Sequence, residues 1–225
     1  MNRILIILFC IALIAIGAGA AWYLVDSHND AMARRGVTAT TTQPLTEGVA
    51  IYTNGTYGFS VFYPQSAEVS YAFDTSYHLG SAWRANALPE ILGTPIVAII
   101  PYKVSNETAY PRYFNAMVRV GASNDPQELE RCEEAATDQG ETALGEVEIN
   151  GTTWSTFSFE SAGMMQYASG ISYRTVHEGQ CIALEKVRTG STYREMPQSE
   201  DIADDVLMTE YQNLDAIVES FTFAR

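Results

Sequence analysis

Val49-Ala50-Ile51-Tyr52-Thr53, then Asn54-Gly55-Thr56, then Tyr57-Gly58-Phe59-Ser60-Val61-Phe62-Tyr63-Pro64 is the stretch that decides the fold. Two runs rich in β-branched and aromatic residues flank Asn-Gly, a strong local signal for a β-hairpin. Alternation places Phe59, Val61 and Tyr63 on one face. Pro64 ends the second run because it has no N–H for a ladder. An antiparallel pair therefore opens the folded part of the chain.

Working downstream, the same local chemistry recurs. Residues 68–73 form a strand candidate, and Ile96-Val97-Ala98-Ile99-Ile100 is a continuous apolar run that Pro101 is expected to end. Residues 114–120 alternate as another strand. Asp125, Pro126 and Glu128 together predict a helix N-cap, first position and capping box, with Gly140 as the stop. On that helix Leu129, Cys132 and Ala136 fall on one face, which turns Cys132 toward the sheet. Asn150-Gly151 marks a second hairpin between 146–149 and 153–157, and 177–180 marks a third between 167–176 and 181–187. A last helix is expected from Thr209, with Gln212 closing its capping box and Leu214, Ile217 and Val218 facing inward. Residues 220–223 then alternate as a closing strand. Eight or nine strands, two helices and hairpin connections predict an α+β domain, an antiparallel sheet flanked by helices.

Working upstream, residues 4–25 are an unbroken run of 22 apolar or small residues after Met1-Asn2-Arg3. As a helix it would be roughly 33 Å long, enough to cross the hydrocarbon core. Trp22 and Tyr23 sit at its far end, where amphipathic rings favour the headgroup zone. Arg3 before the run, and Asp26 and Asp30 after it, predict a cytoplasmic N-terminus and an exported remainder. Arg34 and Arg35 pull the other way, and Ala18-Gly19-Ala20 resembles a signal-peptide cleavage site. The expected organisation is a transmembrane signal anchor at 1–25, a flexible stalk at 26–47 rich in Thr and ending near Pro44, and a domain at 48–225. Cleavage of the anchor would instead leave the domain secreted or periplasmic.

The whole chain carries 13 basic and 27 acidic side chains, net −14. The first 36 residues hold three of the arginines and two of the aspartates, so the rest carries −15. Such a surface repels nucleic acid and anionic headgroups. Outside the apolar run stand two cysteines, Cys132 and Cys181, and an exported domain most simply joins them. Closing their 49-residue separation would be worth about 4 kcal/mol through loop entropy.

Tyr52-Thr53-Asn54-x-x-Tyr57-Gly58-Phe59-Ser60-x-x-Tyr63-Pro64 resembles the start of PsbP-like domains. The order that follows is also similar: strands, a capped helix, the Ile149-Asn150-Gly151 hairpin, a meander, and a helix running into Ser220-Phe221-Thr222-Phe223. The resemblance covers about residues 48–225. It implies a layered sandwich of antiparallel sheet and helices, with a role in binding or assembly rather than catalysis. No functional residue carries over position by position.

Few residues could carry chemistry. His78 and His177 with Cys132 and Cys181 match no paired metal-ligand spacing. His177 and Cys181, four apart across a turn, suggest an alternative reading as a hydrolase or thiol enzyme. Ser60 lacks the second glycine of a nucleophile elbow. Glu200-Asp201 and Asp204-Asp205 lack the glycine and twelfth-position glutamate of a calcium loop and suit a solvated helix start. Tyr71, Tyr77, Tyr110 and Tyr113 suit half-buried strands or a partner surface. Asn54, Asn106 and Asn150 head glycosylation sequons, two of them at hairpin turns. The reading that results is a membrane-tethered, extracytoplasmic, non-enzymatic binding or assembly domain. It has no cofactor and no nucleic-acid partner, and contacts the membrane through its N-terminal helix and an unknown protein or small ligand. An envelope structural subunit, which would self-associate, is a further alternative.

Overall fold

The computed structural model describes residues 48–73, 76, 78–87, 92–104, 113–191 and 202–224. These all belong to one unit, Leu45–Arg225. The apolar run 4–25 and the predicted stalk 26–47 lie outside the described residues.

Among the described residues, ten strands form two antiparallel sheets. Strands β1 (Val49–Asn54), β2 (Phe59–Pro64) and β10 (Thr222–Phe223) make a three-stranded sheet in the order β1-β2-β10. The larger sheet contains β3 (Glu68–Ser70), β4 (Thr94–Val104), β5 (Phe114–Ser123), β6 (Glu141–Ile149), β7 (Thr152–Gly163), β8 (Gln166–His177) and β9 (Gln180–Ser191). Its order is β3-β4-β5-β9-β8-β7-β6. Two helices accompany them among the described residues, α1 (Pro126–Arg131) and α2 (Asp204–Glu219), with one 3-10 turn at Thr137–Gln139.

Each face of the large sheet has its own cover. On one face Val118, Val120, Ile182, Leu184 and Trp154 meet Leu207, Leu214, Ile217 and Val218 of α2, and Phe59 and Val61 of β2. On the other, Met117, Val187, Ala168 and Phe159 meet Leu79 and Ala85. There Trp83 packs with Cys132, Cys181 and Ala183. The long helix α2 therefore covers one face. The second is covered mainly by the non-helical segment 78–87, with the short α1 beside it, so the expected antiparallel sheet is present with less helix around it than expected.

Other expectations shift for identifiable reasons. The first hairpin forms, but Asn54 pairs with Phe59 across a four-residue loop. Asn54 Oδ1 holds that loop by accepting from the N–H groups of Thr56 and Tyr57. Pro101 does not end β4, because a register shift between Ile99 and Tyr102 absorbs its missing N–H. The capping box at Asp125 does not close: Asp125 accepts from Gln127 N–H, while the buried Glu128 pairs with Arg84. Helix α1 ends at Arg131 rather than Gly140. Beyond it, Glu141 draws the backbone of Ala136 to its own carboxylate and N–H. Helix α2 starts at Asp204, five residues before Thr209, whose hydroxyl instead donates to Asp205 O within the helix. Asp204 and Asp205 occupy the first turn, where the helix dipole favours negative charge.

The meander β6–β9 uses two-residue turns throughout. Ile149 pairs with Thr152 and His177 with Gln180, so Asn150-Gly151 and Glu178-Gly179 fill type I′ positions, all at positive φ. Gly163 pairs with Gln166 in the same way, yet this turn is Met164-Met165, at φ 47° and 61°. Two methionines in the left-handed region cost roughly 1–2 kcal/mol each, and both are solvent-exposed, so little packing offsets it. Replacing them with Asn-Gly is expected to raise stability by about 2 kcal/mol in a denaturant titration. A loss of stability would show that the methionine side chains hold the tip.

Candidate interaction surface

Most residues with potential chemistry are committed to structure. Cys132, at the end of α1, and Cys181, at the start of β9, are joined by a disulfide and fully buried. Cys181 therefore offers no thiol, which removes the His177–Cys181 nucleophile pair and the two sulfur ligands of a metal set. The His177 ring stacks on Phe223 at 3.7 Å between centroids and ties the end of β8 to β10. His78 bridges to the β7–β8 hairpin: Nδ1 lies 2.9 Å from Ser161 Oγ, and Nε2 lies 2.8 Å from Gly163 O. A carbonyl only accepts, so Nε2 carries the proton. Ser60 sits mid-strand between Thr53 and Thr222.

The remaining candidates follow the same pattern. Asn54 Nδ2 donates to Tyr52 Oη, and Asn150 Nδ2 donates to Glu219 O and Phe221 O. Both sequon amides are thus occupied by the fold. Tyr113 Oη lies 2.6 Å from Thr189 Oγ1, whereas Tyr71 is exposed with its ring 6.3 Å from that of Tyr52. Tyr77, Tyr110, Asn106, Glu200 and Asp201 lie outside the described residues.

A buried charge network was not legible as such in the sequence. Arg84 donates to both oxygens of Glu128 at 2.8 and 3.0 Å, and reaches Glu141 at 3.5 Å. Glu141 also accepts from Arg174 at 2.5 Å. Arg119 donates twice to Glu185, directly opposite it across β5–β9, and Glu185 accepts from Ala85 N–H at 2.8 Å. Three arginines and three glutamates, all buried, clamp the segment 78–87 onto the sheet. Burial pushes the Arg174 pKa down, and the facing Glu141 carboxylate opposes that shift. The available signal was Arg119, a lone charge inside the apolar stretch 116–122. The cluster is neutral and closed from solvent, so it holds structure rather than substrate.

Among the described residues, the strand left open is β1. It is the edge of the small sheet, and its side chains Val49 and Ile51 are 43% and 54% exposed. Phe62, directly opposite Ile51 on β2, is 44% exposed. The three form an apolar strip on the outer face of the small sheet. Ala50 and Tyr52, which point inward, are only half-buried. Backbone polarity is fixed too. Phe62 N–H donates to Ser220 Oγ at 2.9 Å, and its carbonyl lies 3.2 Å from the same oxygen. The polar groups of Phe62 thus face the β10 side, so Ile51 and Phe62 are a non-hydrogen-bonded pair. Ile51, and by alternation Val49 and Thr53, therefore present N–H and C=O at the free edge.

No family model matches this chain, and no curated protein does. Among structures, the chain is similar to the solution structure of cyanobacterial PsbP (CyanoP) from Synechocystis sp. PCC 6803. The two are 13% identical with a TM-score of 0.37, over 78% of this chain and 92% of the other. That protein carries the family name that the stretch 52–64 resembles.

Proposed function

We propose that this chain is a membrane-tethered, extracytoplasmic domain that binds or assembles with a partner and performs no catalysis. The observation that carries the reading is the outer face of the small sheet. Val49, Ile51 and Phe62 expose apolar surface on a body of net charge −15, at the point where the chain leaves its leading segment. A contiguous apolar strip rimmed by polar surface marks an interaction site. The Cys132–Cys181 disulfide supports an oxidising compartment, and residues 4–25 supply the tether.

Fractionation of cells producing the full chain tests this. The protein is expected to stay with membranes through an alkaline wash, and to be digested by protease added from the extracytoplasmic side. Recovery as a soluble exported protein lacking residues 1–25 would overturn the tether, and protection from the protease would overturn the orientation.

A further inference from the structure

We infer that β1 is a self-association edge: two copies of this chain join their small sheets by antiparallel β1–β1 pairing centred on Ile51. Three edge strands are visible among the described residues besides β1, and each is blunted. Strand β3 has three residues and β10 has two. Strand β6 carries a register shift between Ala143 and Gly145, and Glu146 and Glu148 along its exposed length. Beyond the two residues of β10, the same side of β2 is occupied at Phe62 by Ser220. A short strand, a bulge and charge are the devices that keep edges from pairing. Strand β1 has none of them: six residues in unbroken register with β2, without charge or proline.

The occupant follows from what the edge presents. Unpaired N–H and C=O groups at Val49, Ile51 and Thr53 need hydrogen-bond partners, which neither lipid tails nor a helix face can supply. An extended strand can, and the sequence of β1 complements itself. With a two-fold axis at Ile51, the outward groups of Ile51 meet those of Ile51 in the second copy, and those of Val49 meet those of Thr53. Side chains keep their faces, because paired positions differ by an even number of residues. The outer strip then becomes one apolar row, Phe62, Ile51, Ile51 and Phe62, across a continuous six-stranded sheet. Tyr52, half-exposed in one copy, comes opposite Ala50 of the other. The uncharged strand lets two acidic bodies meet where repulsion is least.

The test uses the full chain, with Cys10→Ser in the crosslinking variants. A central hydrogen-bonded pair puts the two Ile51 Cα atoms about 5.5 Å apart, within disulfide range, whereas the two Phe62 positions are separated by two further strands. In detergent micelles and lipid vesicles, Ile51→Cys is expected to form a species of doubled mass on mild oxidation, at least about ten-fold faster than Phe62→Cys. Light scattering of the native chain in micelles should give the dimer mass. Ile51→Lys, and independently Thr53→Pro, which removes an N–H only the free edge uses, should give the monomer with unchanged near-ultraviolet dichroism. A monomeric native chain, equal crosslinking at both positions, or dimers that survive both edge variants would each overturn the pairing. None of these readouts depends on whether the anchor is cleaved in cells.

Discussion

Gly121→Ala is expected to cost at least about 3 kcal/mol, the largest single-methyl effect among the described glycines of the core. A Cβ at Gly121 would stand 1.8 Å from Trp83 O and 2.8 Å from Trp83 C. The obstacle is backbone, not the end of a flexible side chain, so β5 and the segment 78–87 must separate. Separation is costly because Trp83 is wedged a second time: a Cβ at Gly93 would meet its ring at 2.2 Å. Its neighbours Arg84 and Ala85 would also be pulled from Glu128 and Glu185. Overpacking usually costs about 1–3 kcal/mol, and dislodging a buried ion-pair segment adds to that. Gly55→Ala, where nothing lies within 4 Å, is the control and should shift stability by less than about 0.5 kcal/mol. Denaturant titration of the two variants decides: equal midpoints would mean that the segment slides aside freely.

Glu141→Ala is the second large effect, about 3–5 kcal/mol. Glu141 accepts from Arg174, Arg84 and the Ala136 N–H, and Arg174 is almost wholly buried over the Phe157 ring at 3.7 Å. Removing the carboxylate leaves the Arg174 charge without its closest counter-ion, in surroundings that already disfavour it. The double variant Glu141→Leu with Arg174→Leu should recover most of the loss, because apolar pairs of similar volume replace buried ion pairs at little cost. If the double variant is as unstable as Glu141→Ala alone, the charge is not the cause and the lost Ala136 contact is.

The turns at 54–58, 150–151 and 178–179 were readable because their chemistry is local: Asn54 caps its own loop through its side chain, Gly58, Gly151 and Gly179 take positive φ at low cost, and the strands on either side alternate. The Met164-Met165 turn was invisible for the converse reason, since nothing in two methionines announces a left-handed backbone. Glu128 shows a different limit. Its spacing from Asp125 fits a capping box, but a buried arginine 44 residues upstream offers more than a backbone N–H does. Helix α1 fails to reach Gly140 for a similar reason, as Glu141 competes for the Ala136 backbone. Local signals placed the hairpins and the inner face of α2. The Glu141–Ala136 contacts set the path after α1, and long-range charge pairing set what covered the second face of the sheet. The interaction surface was half legible: the β-rich run at 49–54 was plain, but its lack of lateral cover depends on the order of strands.

Strand β10 imposes an order on folding. Its residues pair with β2, and Ser220 holds Phe62 from 158 residues away, whereas the strands of the meander are closed by two-residue turns. Closing the longer span costs roughly 4 kcal/mol more in chain entropy. The hairpin β1–β2 is made early during synthesis and is marginal alone, so it waits for the segment 220–223 to complete its sheet and stack Phe221 on Phe59. A chain interrupted before that point keeps two open strand edges instead of one, and Phe59 without its stacking partner. The small sheet thus acts as a latch that only a fully translated domain can close.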